Sequence, residues 1–229
     1  MRTTRDTIPS AVNVIQRYKH FLILKLMERV LAYINGFNLY FGNCDKRWIT
    51  YKWLDVKLLV QNLLKQNQSL EEVKYFTSRI RNNPNKERRQ LIYLEALEAH
   101  TNVRIFYGKY QNNLITCRRC GNIHNSPNEK MTDVNIAVEM LMDAYDDRFD
   151  AAFLISGDSD LIPPTTAINT RFPNKRVFVR FPPNRHNITV TSNARGNFII
   201  GRKKLKDSKL PTEIRKPDGY VLRKPSEWT

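Results

Sequence analysis

The chain has 229 residues, of which 41% are hydrophobic, 10% aromatic and 26% charged. This length predicts one full domain with short appendages, and the composition argues against global disorder and against collagen-like or low-complexity sequence. Lys and Arg number 38 against 22 Asp and Glu, which gives a net charge of +16. Such a basic chain favours a polyanionic partner, with nucleic acid ahead of an anionic membrane surface.

Cysteine usage and hydropathy indicate the compartment. The three cysteines form an odd and sparse set, which argues against a secreted disulfide framework. No apolar run approaches the roughly 20 residues of a membrane span. The basic start and the short apolar run over 21–24 lack the small-residue cleavage site of a signal peptide. We therefore expect a cytoplasmic protein with no membrane partner.

Apolar patterning predicts strands that alternate with helices. Continuous apolar runs are typical of buried strands, and apolar residues three or four apart predict helices. This alternation predicts an α/β fold with a central, mostly parallel sheet and helices on both faces. In chain order we expect a strand over 30–34, a helix over 56–64, a strand over 73–80, a helix over 87–99, a strand over 103–107, an amphipathic helix capped by Thr132 with apolar residues from Val134 to Tyr145, a strand over 151–155, a helix over 160–170 and a strand over 176–181.

The extent of this pattern divides the chain into three segments. Residues 1–26 are basic and weakly patterned, which predicts an N-terminal arm. Residues 27–201 carry the strand and helix alternation of a single domain. Residues 202–229 are rich in Lys, Arg and Pro, which predicts a basic C-terminal tail.

Charge is segregated along the chain. Residues 133–160 hold eight acids and one base, whereas residues 171–224 hold fifteen bases and three acids. An acidic centre between basic flanks suits a metal-dependent enzyme that acts on a phosphodiester backbone, because the flanks bind phosphates and the centre binds divalent cations. Charge alone slightly favours the alternative that acids and bases lie on separate solvated helix faces.

Two loops that follow predicted strands carry polar side chains beside a glycine. Asn35 precedes Gly36 after the first strand, and Asp158 and Asp160 follow Gly157 after the fourth. Ligands of parallel α/β sheets bind beyond the carboxyl ends of the strands, where strand order reverses. Two acids two residues apart suit Mg²⁺ or Mn²⁺, although Asp160 by itself is also typical of a helix N-cap.

Three segments in this order resemble the NYN domain, a branch of the PIN-like nuclease superfamily. They are residues 33–40 (YINGFNLY), 132–138 (TDVNIAV) and 156–160 (SGDSD). The resemblance covers about 27–201, and parts of 217–228 resemble the tail of a bacterial subgroup. It implies a PIN-like three-layer α/β/α sandwich in which the first and fourth predicted strands lie side by side. It also implies metal-dependent cleavage of RNA.

The resemblance implies a site formed by Asp133, Asp158 and Asp160 together with Asn35 and Asn38. Of these, Asn35, Asp133, Asp158 and Asp160 would hold one or two Mg²⁺ or Mn²⁺ ions. The family pattern has an aspartate where this chain has Asn35. A neutral amide oxygen offsets a divalent charge less well than a carboxylate, so we expect attenuated activity. A natural loss of activity, a laboratory substitution and deamidation of the Asn-Gly step are the three accounts of this departure.

Basic residues outside the acidic centre are candidates for RNA contacts. The loop after the second strand mixes Arg, Asn and Pro, which suits either a phosphate clamp or a solvated turn. The segment 180–186 mixes basic and aromatic side chains, as single-stranded RNA binding requires. The predicted RNA-binding residues are Arg79, Arg81, Lys86, Arg118, Arg119, Lys130, Arg180 and Arg185.

Cys117 and Cys120 have the spacing of half a zinc knuckle. Zinc takes four ligands, and Cys44 is the one remaining thiol in the sequence. We therefore favour a hairpin turn with two incidental thiols over a zinc site.

Three functional hypotheses follow. The first is an endoribonuclease in which the bound ions activate a water for in-line attack on the phosphodiester. The second is an inactive RNA-binding module, since Asn35 replaces an acidic ligand. The third is a toxin-like nuclease held by a separate inhibitor protein. RNA, preferably single-stranded, is the expected partner, with an inhibitor protein or a homo-oligomer as further partners.

Overall fold

The computed structural model of the chain describes residues 27–45, 47–116 and 119–228. The side chains of 110–115 and 124–130 are outside this description, as is the predicted N-terminal arm over 1–26. In the described residues, no helix is both long and apolar enough to cross a membrane.

A parallel sheet forms the centre of the fold. The first eight strands of the chain are β1 (Glu28–Asn35), β2 (Gln68–Thr77), β3 (Arg104–Tyr107), β4 (Lys109–Thr116), β5 (Ile123–Lys130), β6 (Ala151–Ile155), β7 (Arg176–Phe181) and β8 (Asn197–Ile199). Six of them form the central sheet, whereas β4 and β5 form a separate hairpin. The sheet order is β3-β2-β1-β6-β7-β8, and each neighbouring pair is parallel. The predicted adjacency of the first and fourth strands is confirmed, because β1 pairs with β6. Strand order reverses at this pair, which makes its carboxyl end the expected ligand-binding position.

Helices cover both faces of the sheet. They are α1 (Gly36–Asp45), α2 (Val56–Gln61), α3 (Pro84–His100), α4 (Thr132–Tyr145), α5 (Ile162–Arg171), α6 (Ile188–Asn193) and α7 (Arg202–Lys206). Side chains of β1 alternate between two apolar cores: Ile34 packs with α1, α2 and α3, and Tyr33 packs with α4, α5 and α6. The predicted three-layer α/β/α architecture is therefore confirmed.

Element boundaries differ from the predictions mainly at the ends. The strand predicted over 73–80 spans 68–77, because its polar first half pairs with β1 although it lacks an apolar run. The helix predicted over 160–170 begins as a short 3₁₀ turn at Ser159–Leu161. The prediction that Thr132 caps its helix is wrong, since Met131, with φ of 74°, is the N-cap residue, and the Met131 side chain forms no capping hydrogen bond.

The segment after Gly201 is structured, although its sequence lacks a clear pattern. It forms α7 and an antiparallel hairpin of β9 (Glu213–Arg215) and β10 (Val221–Arg223), followed by a 3₁₀ turn at Ser226–Trp228. Apolar side chains from each of these elements lie in the same core as α3. They are Leu205, Ile214, Leu222 and Trp228. Elements of three to five residues are too short to give a periodic signal, which is why the sequence indicated only a tail.

Strands β4 and β5 form an antiparallel hairpin, with Thr116 paired to Ile123 at its closed end. The pairing of β4 with β5 confirms the predicted hairpin. Cys120 is exposed, whereas Cys117 lies outside the described residues, so the zinc alternative stays a prediction.

A buried ionic network fixes α4 to the sheet. Lys74 of β2 is 1% exposed, and its Nζ lies 2.7 Å from Glu139 Oε2 and 2.5 Å from Asp143 Oδ2. The Tyr33 hydroxyl donates to the same Asp143 oxygen at 2.6 Å. Because Glu139 and Asp143 lie one turn apart on α4, the network sets both the rotation and the height of the helix that begins next to the sheet's carboxyl end.

Candidate functional site

Three sequence segments meet at the carboxyl end of β1 through a chain of hydrogen bonds. Asn35, the last residue of β1, is 5% exposed, and its Nδ2 donates to Asp133 Oδ1 at 3.0 Å. Its Oδ1 accepts the backbone N–H of Asn38 at 2.9 Å. The Asn38 Oδ1 in turn accepts the backbone N–H of Gly157 at 2.9 Å. The first turn of α1, the first turn of α4 and the loop after β6 are thus tied together.

The hydrogen bonds of Asn35 determine the orientation of its amide. If the amide were turned over, its nitrogen would face the Asn38 N–H and its oxygen would face the Asp133 carboxylate. Both contacts would place like partial charges together, so the observed orientation is the satisfied one. Asn35 therefore presents a hydrogen-bond donor to Asp133, where an aspartate would present a second carboxylate oxygen.

The loop after β6 is shaped by Asp158. One of its carboxylate oxygens accepts the backbone N–H of Asp160 at 3.1 Å and so caps the 3₁₀ turn that follows. The backbone N–H of Asp158 donates to Ser156 Oγ at 3.1 Å. The alternative of an N-cap at Asp160 is therefore wrong: Asp158 is the cap, and Asp160 lies exposed in the first turn.

Negative charge accumulates at this end of the sheet. Burial, followed by repulsion from Asp158 and Asp160, raises the pKa of Asp133 from 3.8 to about 6, and the hydrogen bond from Asn35 opposes this rise. In the described part of the chain, none of these three carboxylates forms an ion pair. The cluster therefore carries repulsion that a bound cation would relieve.

The donor set fits Mg²⁺ or Mn²⁺ in kind, because both ions prefer carboxylate oxygens. The number of ligands in this set is small. Among the described residues, no group of three or more His, Cys, Asp or Glu side chains is arranged to hold a metal ion. The Asn35 oxygen that would add a ligand already accepts the Asn38 N–H. The site therefore has the right ligand chemistry with less negative charge than four carboxylates would give.

A polar groove runs past the acidic cluster. It is lined by Asn38 and Asp158 on one side and by residues 184–188 on the other. A Cβ added at Gly157 would lie 1.9 Å from the carbonyl oxygen of Arg185, so only glycine lets this loop cross so closely. The Arg185 guanidinium lies in the groove wall, where it pairs with Asp45 of α1 at 2.6 Å.

Arg79 lies at the same corner of the sheet as Asp133. Its guanidinium stacks on the Tyr107 ring at 4.9 Å. The Tyr107 carbonyl accepts a hydrogen bond from Asn135, two residues beyond Asp133, at 3.4 Å. Arg79 and Arg81 are exposed, and within the described ranges neither forms an ion pair. Both charges are thus available to phosphates that approach the acidic cluster.

The remaining predicted RNA contacts are dispersed. Arg180 is only 6% exposed, and its guanidinium lies 4.3 Å from the rings of both Phe153 and Phe198. Burial lowers its pKa to about 10. Arg119 is exposed at the end of the β4–β5 hairpin, and Lys86 is exposed in the first turn of α3. Arg118 and the side chain of Lys130 lie outside the described residues.

Two contacts at the site are absent from the sequence predictions. One is the bond from Asn35 to Asp133, and the other is the network of Lys74 beneath α4. A lysine inside a strand, opposite two acids four residues apart on a helix, was a usable signal for the second. The bond from Asn35 to Asp133 depends on how the Asn35 amide is oriented by its contact with the Asn38 backbone N–H, and no sequence pattern predicts that orientation.

Comparison with known proteins gives the family. The NYN domain family matches residues 29–200. A search of curated proteins finds no match. The crystal structure of a protein of unknown function from Vibrio parahaemolyticus is 18% identical and covers 81% of this chain and 98% of its own, with a TM-score of 0.51, a likeness of fold alone. The crystal structure of MurG from Acinetobacter baumannii is 10% identical, and the match covers 80% of this chain and 43% of the MurG chain. Its TM-score of 0.34 is too low to indicate a shared fold. The family match spans most of this chain, and the three motifs meet at one end of a parallel sheet. The chain therefore belongs to the NYN domain family, a branch of the PIN-like nuclease superfamily.

Proposed function

We propose that the chain is a ribonuclease that uses Mg²⁺ or Mn²⁺ held by Asp133, Asp158 and Asp160, with activity attenuated by Asn35. The observation that carries this proposal is the cluster of carboxylates at the switch point of the sheet, which forms no ion pair within the described residues and in which burial, followed by repulsion from Asp158 and Asp160, raises the pKa of Asp133. Repulsion of this kind destabilises an empty site and is typical of positions that bind cations. Membership of the NYN domain family supports nuclease chemistry.

The chain's own residues would bind and position the RNA. Arg79 and Arg81 neutralise phosphates on one side of the cluster, and the polar groove along Asn184 and Arg185 receives the strand on the other. Asn35 holds Asp133 in place, and Asn38 holds the loop that carries Asp158. When bound, the divalent ion supplies neutralisation of the phosphate and a water of lowered pKa. The basic flanks make the grip on RNA electrostatic and therefore sensitive to salt.

The direct test is cleavage of a 5′-labelled single-stranded RNA of mixed sequence in Mn²⁺ and in EDTA. We expect internal cleavage products that require Mn²⁺ and that disappear in Asp158→Asn. Asp218→Asn, which changes an exposed carboxylate in the turn between β9 and β10, is the matched control and should cleave like the parent. Cleavage that persists in Asp158→Asn, or in EDTA, would contradict the proposal.

A second candidate is an RNA-binding module without turnover. The hydrogen bond from Asn35 to Asp133 favours it, because the amide donor satisfies a carboxylate oxygen that a cation would otherwise take. This candidate predicts RNA binding that weakens with salt and is unchanged by EDTA, without cleavage at any Mn²⁺ concentration.

A further inference from the structure

An apolar cleft opens on the opposite side of the same sheet edge. It lies between α1, the end of β2, the start of α3 and the 3₁₀ turn at Ser226–Trp228, and its interior volume is about 50 Å³. Gly36 lines this cleft and directly follows Asn35 of the acidic cluster. The aromatic side chains of its walls are Phe37, Tyr40, Tyr75, Tyr93 and Trp228.

The aromatic walls of the cleft pack against one another. Trp228 is 5% exposed, and its ring packs 6.0 Å from Tyr93 and 6.4 Å from Tyr40. Phe41, outside the cleft, stacks on Phe37 at 5.9 Å. Planar rings that are already ordered lose little entropy when a planar ligand stacks on them.

Cations and amide groups surround the apolar walls. Lys52 Nζ lies 4.7 Å above the Tyr40 ring, and Lys86 and Arg89 line the side formed by α3. Arg89 pairs with Glu227 at 2.8 Å, whereas Lys86 forms no ion pair within the described ranges. Gln90 is fixed by its bonds to the backbone at Ile80 and Ser78. The cleft thus combines flat apolar walls with positive charge at the rim, as an aromatic anion requires.

We propose that one unpaired nucleobase of the RNA stacks at the mouth of this cleft on the half-exposed rings of Phe37 and Tyr40, with the adjoining phosphate on Lys86 and Lys52. The proposal rests on the proposed function and deepens it, since it selects single-stranded RNA with a base free to stack. Side chains of β1 alternate, so the cluster at Asn35 faces the α4 layer and the cleft faces the α3 layer. A strand that crosses the sheet edge past Arg79 and Arg81 would therefore place one base at the cleft and a later phosphate of the same strand at the cluster.

The test is binding of AMP and of hexaadenylate in EDTA, measured by calorimetry, so that no cleavage intervenes. Tyr40→Leu and Phe37→Ala, checked for folding by circular dichroism, should each weaken hexaadenylate binding at least about fivefold. Tyr220→Ala removes an aromatic ring that is 61% exposed on the β9–β10 turn and should bind like the parent. Equal affinities of the cleft variants and the parent would overturn the cleft while leaving the ribonuclease intact. Loss of binding in the cleft variants of a chain that never cleaves RNA would support the cleft and contradict the ribonuclease.

A separate observation concerns the outer face of α4. The side of this helix that meets the sheet is apolar, with Ile136 and Met140 fully buried. The opposite side is also apolar and lies open to solvent. Its side chains, with their exposed fractions, are those of the N-cap residue Met131 (53%) and of Val134 (60%), Val138 (47%), Leu141 (38%), Met142 (56%) and Tyr145 (82%) in the helix. Contiguous apolar surface of this kind marks an interaction site on a folded protein.

The spacing of this face indicates what covers it. Met131, Val134, Val138, Leu141 and Tyr145 are separated by three, four, three and four residues, the repeat of a two-helix seam. The neighbouring positions 135 and 137 are Asn and Ala, so a second copy meets no like charge there, although the chain carries +16. Two such faces bury on the order of 1,200 Å² in total, the low end of a stable interface.

We infer that α4 pairs with α4 of a second copy in a symmetric dimer. Sedimentation equilibrium of the full chain should give about twice its 27.0 kDa mass. The double variant Val138→Lys and Leu141→Lys should be monomeric, whereas Leu91→Lys, which changes a leucine that is 45% exposed on α3, should stay dimeric. A parent chain that is monomeric at about 100 µM would overturn the inference. This holds both if the outer face of α4 is open to solvent and if residues 1–26 cover it. A double variant that remains dimeric would overturn it as well.

Discussion

Replacement of Asp133 by Asn should stabilise the fold at neutral pH while it removes metal-dependent activity. Asn keeps the shape of the side chain and can still accept the hydrogen bond from Asn35, so the change is mainly one of charge. Burial and the repulsion from Asp158 and Asp160 raise the pKa of Asp133 from 3.8 to about 6. The ionised carboxylate therefore costs stability in the folded state.

The size of the effect follows from that pKa. At about 1.4 kcal/mol per pH unit, the difference corresponds to an upper limit of about 3 kcal/mol. Asp133 is partly exposed, so solvent screening reduces this by about half. Asp133 also lies in the first turn of α4, where a negative charge gains about 0.5 kcal/mol from the helix dipole. The net gain on substitution is therefore about 1 kcal/mol at pH 7.5.

The direction of the pKa shift determines how the stability gain of Asp133→Asn changes with pH. Because folding raises the pKa of this carboxyl, its cost is full above pH 6, declines as the pH falls from 6 to about 4 and is absent below that. Urea unfolding in EDTA, followed by far-UV circular dichroism, should show the gain at pH 7.5 and almost none at pH 4. Asp146→Asn, at the other end of α4, should change stability by less than about 0.5 kcal/mol at either pH. A destabilised Asp133→Asn at pH 7.5 would refute the reasoning.

The remaining predictions concern the framework and the RNA grip. Lys74→Met removes the buried cation shared by Glu139 and Asp143, leaves Asp143 with only the partly exposed Arg148 at 3.4 Å, and should lower the free energy of unfolding by about 3–5 kcal/mol in urea titrations. Gly157→Ala should separate the loop from Arg185 and reduce cleavage more than it reduces stability, when rates and melting temperatures are compared. Arg79→Ala with Arg81→Ala should weaken RNA binding alike for all sequences and reduce the log–log salt slope by about 0.7 per lost phosphate contact. Binding that is flat from low to high salt would contradict the last of these.

Periodic elements with strong apolar runs could be predicted from the sequence. The strands over 151–155 and 176–181 match their predicted bounds, because fully buried parallel strands need continuous apolar residues. The outward direction of the apolar stripe on α4 could not be predicted. Both sides of that helix are apolar, so periodicity alone does not tell which side meets the sheet.

Motif order and sheet topology predicted which residues lie close together at the site. They did not predict the charge interactions among those residues. Adjacent strands brought Asn35, Asp133 and the loop of Asp158 together, as the resemblance implied. The burial of Arg180 among Phe153 and Phe198 was not foreseeable, because an arginine at a strand end reads as exposed from sequence. The donor that Asn35 presents to Asp133 depends on a single backbone contact with Asn38.

The central claim is that Asn35 limits the charge of a metal-dependent site, and Asn35→Asp tests it most directly. Cleavage of single-stranded RNA should be measured over a Mn²⁺ titration for the parent, for Asn35→Asp and for Asn35→Asp with Asp158→Asn. We expect faster cleavage by Asn35→Asp at lower Mn²⁺, because a carboxylate replaces the amide that now donates to Asp133. The same variant should be less stable than the parent in EDTA and gain more stability from Mn²⁺. Cleavage should vanish with Asp158→Asn, whereas an Asn35→Asp chain as inert as the parent at saturating Mn²⁺ would contradict the account.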